Sequence, residues 1–302
     1  MKNENKFEVI IIGGSYAGLS AAMALGRSLR NTLIIDEGKP CNRQTPHSHN
    51  FLTQDGSTPH EIATIAKKQL NKYKHIKFYN GIAISAKKVN ESFEVIASNG
   101  DIFMAKKLIL ATGINDKFPN IDGFAACWGI SVVHCPYCHG YEIRHQKTAI
   151  ITNGERGFHL ASMVNNLTKN ITILTSGANN FDERQLKKLK HHQIKIIEKE
   201  IATIAHKNGQ LEKIIFKDGS SETFECAYAA IPFEQNTSIV KELGLKLTET
   251  GHIETNFMQE TSVDGVYACG DNASPMRSVA NAVAAGNLAG AATNGTLTKE
   301  TF

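Results

Sequence analysis

The chain has 302 residues, 41% of them hydrophobic and 21% charged, with a formal net charge of +4. That length holds two domains, and the balance excludes a disordered or fibrous chain. Lys and Arg are scattered among Asp and Glu, so the charge supports neither nucleic acid nor a membrane as a partner.

The opening Met1–Lys6 is polar, with no charged-then-apolar leader, and the chain is expected to be cytoplasmic. No apolar run approaches the ~18 residues of a membrane helix. Glu8-Val9-Ile10-Ile11-Ile12 is a predicted strand that ends in Gly13-Gly14-Ser15-Tyr16-Ala17-Gly18. A predicted helix over Leu19 to Leu29 follows, and Thr32–Asp36 completes a βαβ unit. Asp36 lies 18 residues beyond Gly18, close to the ~20 expected for the acid that holds a ribose 2′-hydroxyl. Glycine is needed in such a turn because a side chain holds the backbone away from a pyrophosphate, which the helix amino end attracts. Ser15 replaces the middle glycine and is the smallest substitute with a hydroxyl-bearing Cβ.

Alternating strands come next, with a polar turn at Asn99-Gly100-Asp101, and the run closes on Leu108-Ile109-Leu110-Ala111-Thr112-Gly113. The plan then repeats. Thr148–Thr152 is a second strand, Glu155 to Leu167 a second helix and Ile171–Leu174 the next strand. This copy turns at Lys217-Asp218-Gly219 and closes on Ala229-Ala230-Ile231-Pro232, without the final glycine. The tail, Gly244 to Asn294, adds a strand at Val266–Ala268, a turn at Gly270-Asp271 and a packed helix from Ser278 to Ala292. Glycine there lets the backbone approach a ligand, and the carboxylate suits a ribityl hydroxyl. The expected class is therefore α/β, with two Rossmann-like, three-layer ββα nucleotide-binding domains, the second inserted into the first.

Between the two copies stands Cys135-Pro136-Tyr137-Cys138. Thiols at this spacing can close a small disulfide loop, and amides at a helix start favour the attacking thiolate. Cys127, Cys226 and Cys269 lie among apolar or small residues and read as inert buried thiols, while Cys41 sits in a polar loop. Zinc is the competing use of such a pair, but a second well-spaced ligand pair is missing. In the repeated nucleotide turn the glycine positions read Thr152, Gly154 and Gly157, and the loop Thr175–Asn180 carries neither a basic nor an acidic residue.

These features resemble the low-molecular-weight thioredoxin reductase family of flavoproteins across essentially the whole chain. The matching segments are Gly13 to Gly18, Ala111-Thr112-Gly113, the dithiol, and Thr261 to Asp271. The resemblance implies FAD held by residues 1–114 and 243–302, an NAD(P)H-type domain at 117–240 that carries the dithiol, and a homodimer. It further implies cofactor contacts at Gly13, Gly14, Ser15, Ala17, Gly18, Asp36, Glu37, Arg43, His49, Asn50, Ala111, Thr112, Gly113, Gly270, Asp271, Ser278 and Val279. Within the family, Cys135–Glu142 (CPYCHGYE) and the His-containing segment His47–Gly56 resemble the dithiol oxidases that close disulfides in sulfur-bearing natural products.

By the same resemblance Cys138 is the flavin-proximal thiol and Cys135 the interchange thiol that meets the substrate. His139 stands where ordinary reductases carry an aspartate, and an imidazole with an unperturbed pKa of about 6.5 can handle the proton. His134 is the second candidate for that task. Ordinary reductases also cluster arginines where this chain has Thr175–Asn180. Hydrogen bonds to a charged group contribute about 1.5–3 kcal/mol each. Losing two weakens NADPH roughly a hundredfold to ten-thousandfold, which argues against NADPH as donor, although Arg156 in the turn offers one cation. The expected activity is FAD-dependent oxidation of a small-molecule dithiol or protein thiol, with oxygen as acceptor. A disulfide reductase driven by NADPH or another donor, and a non-catalytic flavin-binding redox sensor, are the alternatives.

Overall fold

A computed structural model describes residues 5–302, so Met1–Glu4 of the polar opening lie outside the described residues. The chain divides into two units. Residues up to Arg43, with Asn50–Asn115 and Phe233–Phe302, make the first; Gln44–His49 and Asp116–Pro232 make the second.

The first unit begins with β1 (Lys6–Ile12), α1 (Tyr16–Arg27), β2 (Thr32–Asp36), α2 (Pro59–Leu70) and β3 (Ile76–Asn80). It continues through β4 (Ala83–Val89), β5 (Ser92–Ala97), β6 (Ile102–Leu110) and β7 (Ile114–Asp116). β1 lies parallel to β2 and β6, and β2 to β3, while β4, β5 and β6 form an antiparallel meander. A central parallel strand is buried on both faces, which is why β1 reads as an unbroken apolar run. Its side chains alternate between two cores: Ile10 and Ile12 enter one, Val9 and Ile11 the other. The first helix stops at Arg27 rather than Leu29, because Leu29 takes a left-handed φ of 60° that a helix of L-residues cannot continue.

The second unit carries α3 (Phe124–Cys127), β8 (Val132–Val133), α4 (Pro136–His139), β9 (Thr148–Ile151), α5 (Gly154–Val164) and β10 (Ile171–Leu174). It is completed by α6 (Glu183–His191), β11 (Lys195–Ile197), β12 (Ile201–Lys207), β13 (Gln210–Phe216), β14 (Ser221–Thr223) and β15 (Cys226–Ala229). A parallel sheet runs in the order β11-β10-β9-β15-β8, and β12-β13-β14 form an antiparallel sheet.

The chain then returns to the first unit through β16 (Phe233–Gln235), α7 (Ile239–Glu242), β17 (Val266–Ala268) and α8 (Val279–Thr301). β17 adds to the first sheet parallel to the end of β6. The expected end of the inserted domain, 240, needs correction here. Phe233–Gln235 pairs with β7, and Ile239 and Val240 are buried in the core that holds Ile10 and Leu108. Gln44 and Thr45, by contrast, press on Gly129 of the second unit. No helix among the described residues is long and apolar enough to cross a membrane.

Candidate active site

The first glycine turn is packed to backbone contact. A Cβ on Gly13, whose φ is 103°, would stand 2.2 Å from the Ala111 carbonyl oxygen, and one on Gly18 only 1.9 Å from that of Gly13. Gly14 donates its N–H to Asp36 Oδ1 at 2.9 Å, and Gly38 donates to Oδ2 at 3.0 Å. The Ser15 side chain makes no capping bond to α1, so the first-turn amides keep their capacity for an anion. Gly270, at φ 87°, brings the backbone to where a Cβ would touch Ala17 Cβ at 3.0 Å. Beside it, Asp271 Oδ2 lies 3.7 Å from Arg277 Nε and 3.9 Å from Cys41 Sγ.

Asn272 is a residue that the sequence reading missed. Fully buried, it donates Nδ2 to the Leu110 carbonyl at 2.9 Å and to Thr112 Oγ1 at 3.2 Å, fastening the segment that bears Ala111, Thr112 and Gly113. Its Oδ1 is buried with no hydrogen-bond partner among the described residues. Gln235 Nε2 in turn holds the Asn272 carbonyl at 2.9 Å. A glycine cradle without room for a Cβ, an acid at the end of β2 and an orphaned amide oxygen next to Thr112 together fit FAD. Other expected contacts are engaged locally: Glu37 pairs with Lys39, Arg43 Nη1 donates to the Pro40 carbonyl, and Asn50 N–H donates to Asp55. Ser278 caps α8 by accepting from Asn281 N–H, and Val279 opens that helix. His49 is grouped with the second unit, where its Nδ1 lies 3.5 Å from Glu142 Oε1.

In the second unit the dithiol opens a single-turn helix. Cys135 is the N-cap of α4, with Pro136 as the first helical residue, a position that suits proline because its N–H is not needed. The Cys138 N–H donates to Cys135 Sγ at 3.3 Å, which favours a thiolate there, and the two sulfurs are 2.7 Å apart. Gly140 closes the turn. A Cβ on it would meet the Pro136 carbonyl oxygen at 2.3 Å and Leu167 Cδ1 at 2.4 Å.

His139 ends this helix, and its imidazole departs from the sequence expectation. Burial first, and the neighbouring His49 second, push its pKa down to about 4. It is therefore neutral across the physiological range and needs no titration near 6.5 to act as a base. His134 instead stacks on Trp128 with centroids 5.9 Å apart, at the end of an aromatic row that includes Phe118 and Phe124. Burial raises Cys127, pushes Cys226 up to about 11 and Cys269 up to about 12, so these thiols stay protonated and unreactive.

The repeated nucleotide turn is bridged by its own side chains. Asn153 Oδ1 accepts from Gly154 N–H at 2.8 Å and Asn180 N–H at 2.9 Å, while its Nδ2 donates to the Ala178 carbonyl at 2.9 Å. Glu198 Oε1 takes two further bonds from Asn179, each 2.7 Å, and the Asn179 backbone bond leads in holding its carboxyl below the ordinary range. The loop Thr175–Asn180 thus has an acid against it after all, supplied from beyond β11 and invisible in the loop's own sequence. Arg156 is exposed on the first turn of α5.

The profile of the pyridine nucleotide-disulphide oxidoreductase family matches residues 7–286. Thioredoxin reductase sirT of Leptosphaeria maculans is 33% identical over 95% of this chain and 93% of its own. Thioredoxin reductase tcpT of Claviceps purpurea is 32% identical, covering 96% and 94%. Among solved structures, an oxidoreductase from Agrobacterium tumefaciens superposes with a TM-score of 0.91 at 37% identity, covering 97% of this chain and 99% of the other.

Proposed function

Because the chain belongs to the pyridine nucleotide-disulphide oxidoreductase family, and is an oxidoreductase acting on sulfur groups, we propose that it oxidises dithiols through the Cys135/Cys138 pair, with FAD bound in the first unit and oxygen as the final acceptor. The observation that carries this direction is the Asn153 bridge across the second nucleotide turn, backed by the Glu198 carboxylate against the loop. Both oppose an NADPH 2′-phosphate, by occupying amide donors and by like charge.

With the pair in its disulfide form, the first substrate thiolate attacks Cys135 Sγ, breaking the Cys135–Cys138 bond, forming a mixed disulfide and expelling Cys138 as thiolate. The second substrate sulfur then attacks the first, closes the substrate disulfide and releases Cys135 as thiolate. Two protons leave the substrate and two electrons remain on the pair. Neutral His139 accepts a proton from an incoming thiol, whose unperturbed pKa is about 8.5. The chemistry that bound FAD supplies is two-electron acceptance from the reduced pair, with delivery to dioxygen. Gly13, Gly14, Ser15, Gly18 and Asp36 would hold its adenosine diphosphate half, and Thr112 and Asp271 its ribityl and ring half. The CPYCHGYE segment supports grouping the chain with the dithiol oxidases of the family; in this reading a small-molecule dithiol or a protein thiol is the substrate and a homodimer the working form.

Anaerobic mixing of the purified yellow protein, first with NADPH and then with a small dithiol, tests this. The expected result is slow or no bleaching by micromolar NADPH and rapid bleaching by dithiol. Fast stoichiometric reduction by NADPH restores the disulfide reductase, and a folded protein that binds no flavin ends both.

A further inference from the structure

The helical path of the dithiol segment runs on past His139. Gly140 keeps helical dihedrals, φ −66° and ψ −30°, and donates its N–H to the Pro136 carbonyl at 2.8 Å; Ile143 donates to the His139 carbonyl at 3.4 Å. Residues three apart on such a path are neighbours on one side of it, so Cys138, Tyr141 and Arg144 stand in line. At 1.5 Å of rise per residue, the Arg144 backbone is about 9 Å beyond that of Cys138. Its side chain folds back toward the cysteines. The guanidinium carbon sits 3.9 Å from the Tyr141 ring centroid, and Nη1 donates to the Tyr141 carbonyl at 2.5 Å. Tyr141 and Arg144 are both exposed, as is Tyr137 between the two cysteines.

An exposed arginine ordinarily keeps its rotamer freedom, and ordering it costs entropy. Here the stack and the carbonyl bond have already fixed the plane of the guanidinium. Its Nε and Nη2 have no partner among the described residues, so one edge of the fork is oriented and open. A carboxylate is the planar double acceptor that such an edge matches. The adjacent acid does not supply it, because Glu142 Oε1 is turned to His49 Nδ1 at 3.5 Å. We infer that Arg144 is a specificity-determining residue that binds a carboxylate of the substrate, so that the substrate is a dithiol acid whose carboxylate lies roughly 5–10 Å from its sulfurs. With Cys135 Sγ and Cys138 Sγ 2.7 Å apart, the same reach serves attack at either sulfur. The inference rests on the reading of this pair as the dithiol that meets substrate, and it narrows that substrate to one chemical class.

Dihydrolipoate and dihydrolipoamide present the same dithiol and differ in whether the far end is a carboxylate or a neutral amide. Each is mixed, without oxygen and at low ionic strength, with an excess of oxidised, full-length, flavin-loaded protein, and the loss of substrate thiol is followed in quenched samples. An exposed pair of charges is a modest interaction, so the acid is expected to react about fivefold faster than the amide. The preference should shrink as salt is added. Arg144→Gln is expected to bring the two rates together by slowing the acid alone, and Arg144→Lys, with a charge but no fork, to fall between. A preference absent from the unmodified protein, or undiminished in Arg144→Gln, overturns the inference. A general disturbance of the turn would slow both dithiols equally and leave their ratio, which is the quantity read. Failure of the oxidase reading shows up elsewhere, as no oxygen consumption in air while the anaerobic exchange and its preference persist.

Discussion

At the scale of single residues, the proposed role of His139 and its burial lead to two measurable expectations. A positioned base contributes about a hundredfold or more, so His139→Ala is expected to lower dithiol oxidation by that order at neutral pH. Partial recovery follows at alkaline pH, where substrate thiolate forms unaided. With the imidazole already neutral above about pH 4, the wild-type rate should follow thiol ionisation and show no inflection near 6.5. An inflection there that disappears in His139→Ala would return the imidazole to its ordinary range. The same burial links stability to pH. Between about 6.5 and 4 the unfolded chain binds a proton that the folded chain refuses, so stability declines as pH falls through that window and levels off below it. The wild-type protein should lose on the order of 2–3 kcal/mol across it relative to His139→Ala, at ~1.36 kcal/mol per unit, measured by urea unfolding at matched pH values.

Among elements, the strand-turn-helix at Gly13–Gly18 is the feature most exposed to a single methyl group. Gly18→Ala would drive Cβ into the Gly13 carbonyl oxygen at 1.9 Å, and the turn must open. Flavin content on purification should fall to near zero, read from the visible absorbance per chain. This turn, the acid at Asp36 and the dithiol at a helix start were legible in the sequence because each is local: an apolar run, a fixed glycine spacing, and two cysteines two residues apart. What stayed hidden is made by residues far apart in the chain. Asn272 reads as a turn residue until Leu110 and Thr112, some 160 positions away, are seen to receive its amide. Asn153 looks like an ordinary helix cap until Ala178 and Asn180 close on it. The boundary at 240 was misplaced for a related reason: Ile239 and Val240 are apolar in either unit, and their burial beside Ile10 is a tertiary fact.

For the whole molecule, each unit has its own pair of apolar cores. The glycine turn proposed to cradle flavin belongs to one and the dithiol to the other. Damage to the cradle should therefore spare the chemistry of the thiols. Gly18→Ala, colourless, is expected to keep an oxidisable Cys135–Cys138 pair, titrating two thiols on reduction that the oxidised protein lacks. Loss of that pair together with the flavin would show that the second unit depends on the first for its fold.

The seam between the first helix and the last carries a consequence for how the chain is made. Gly286 and Gly290 of α8 lie so close to α1 that a Cβ on either would strike the carbonyl oxygens of Ala17 and Ala21, at 2.1 and 2.5 Å. Those are residues of α1, translated among the first few dozen. At about 5–20 residues per second, the ribosome leaves that helix without its partner for roughly 13 to 60 seconds, while the continuous stretch between Asp116 and Pro232 emerges whole and can fold first. The nascent chain therefore exposes the apolar face of its oldest helix for longest, and that interval is when a chaperone, or an early-arriving flavin, would have the most to protect.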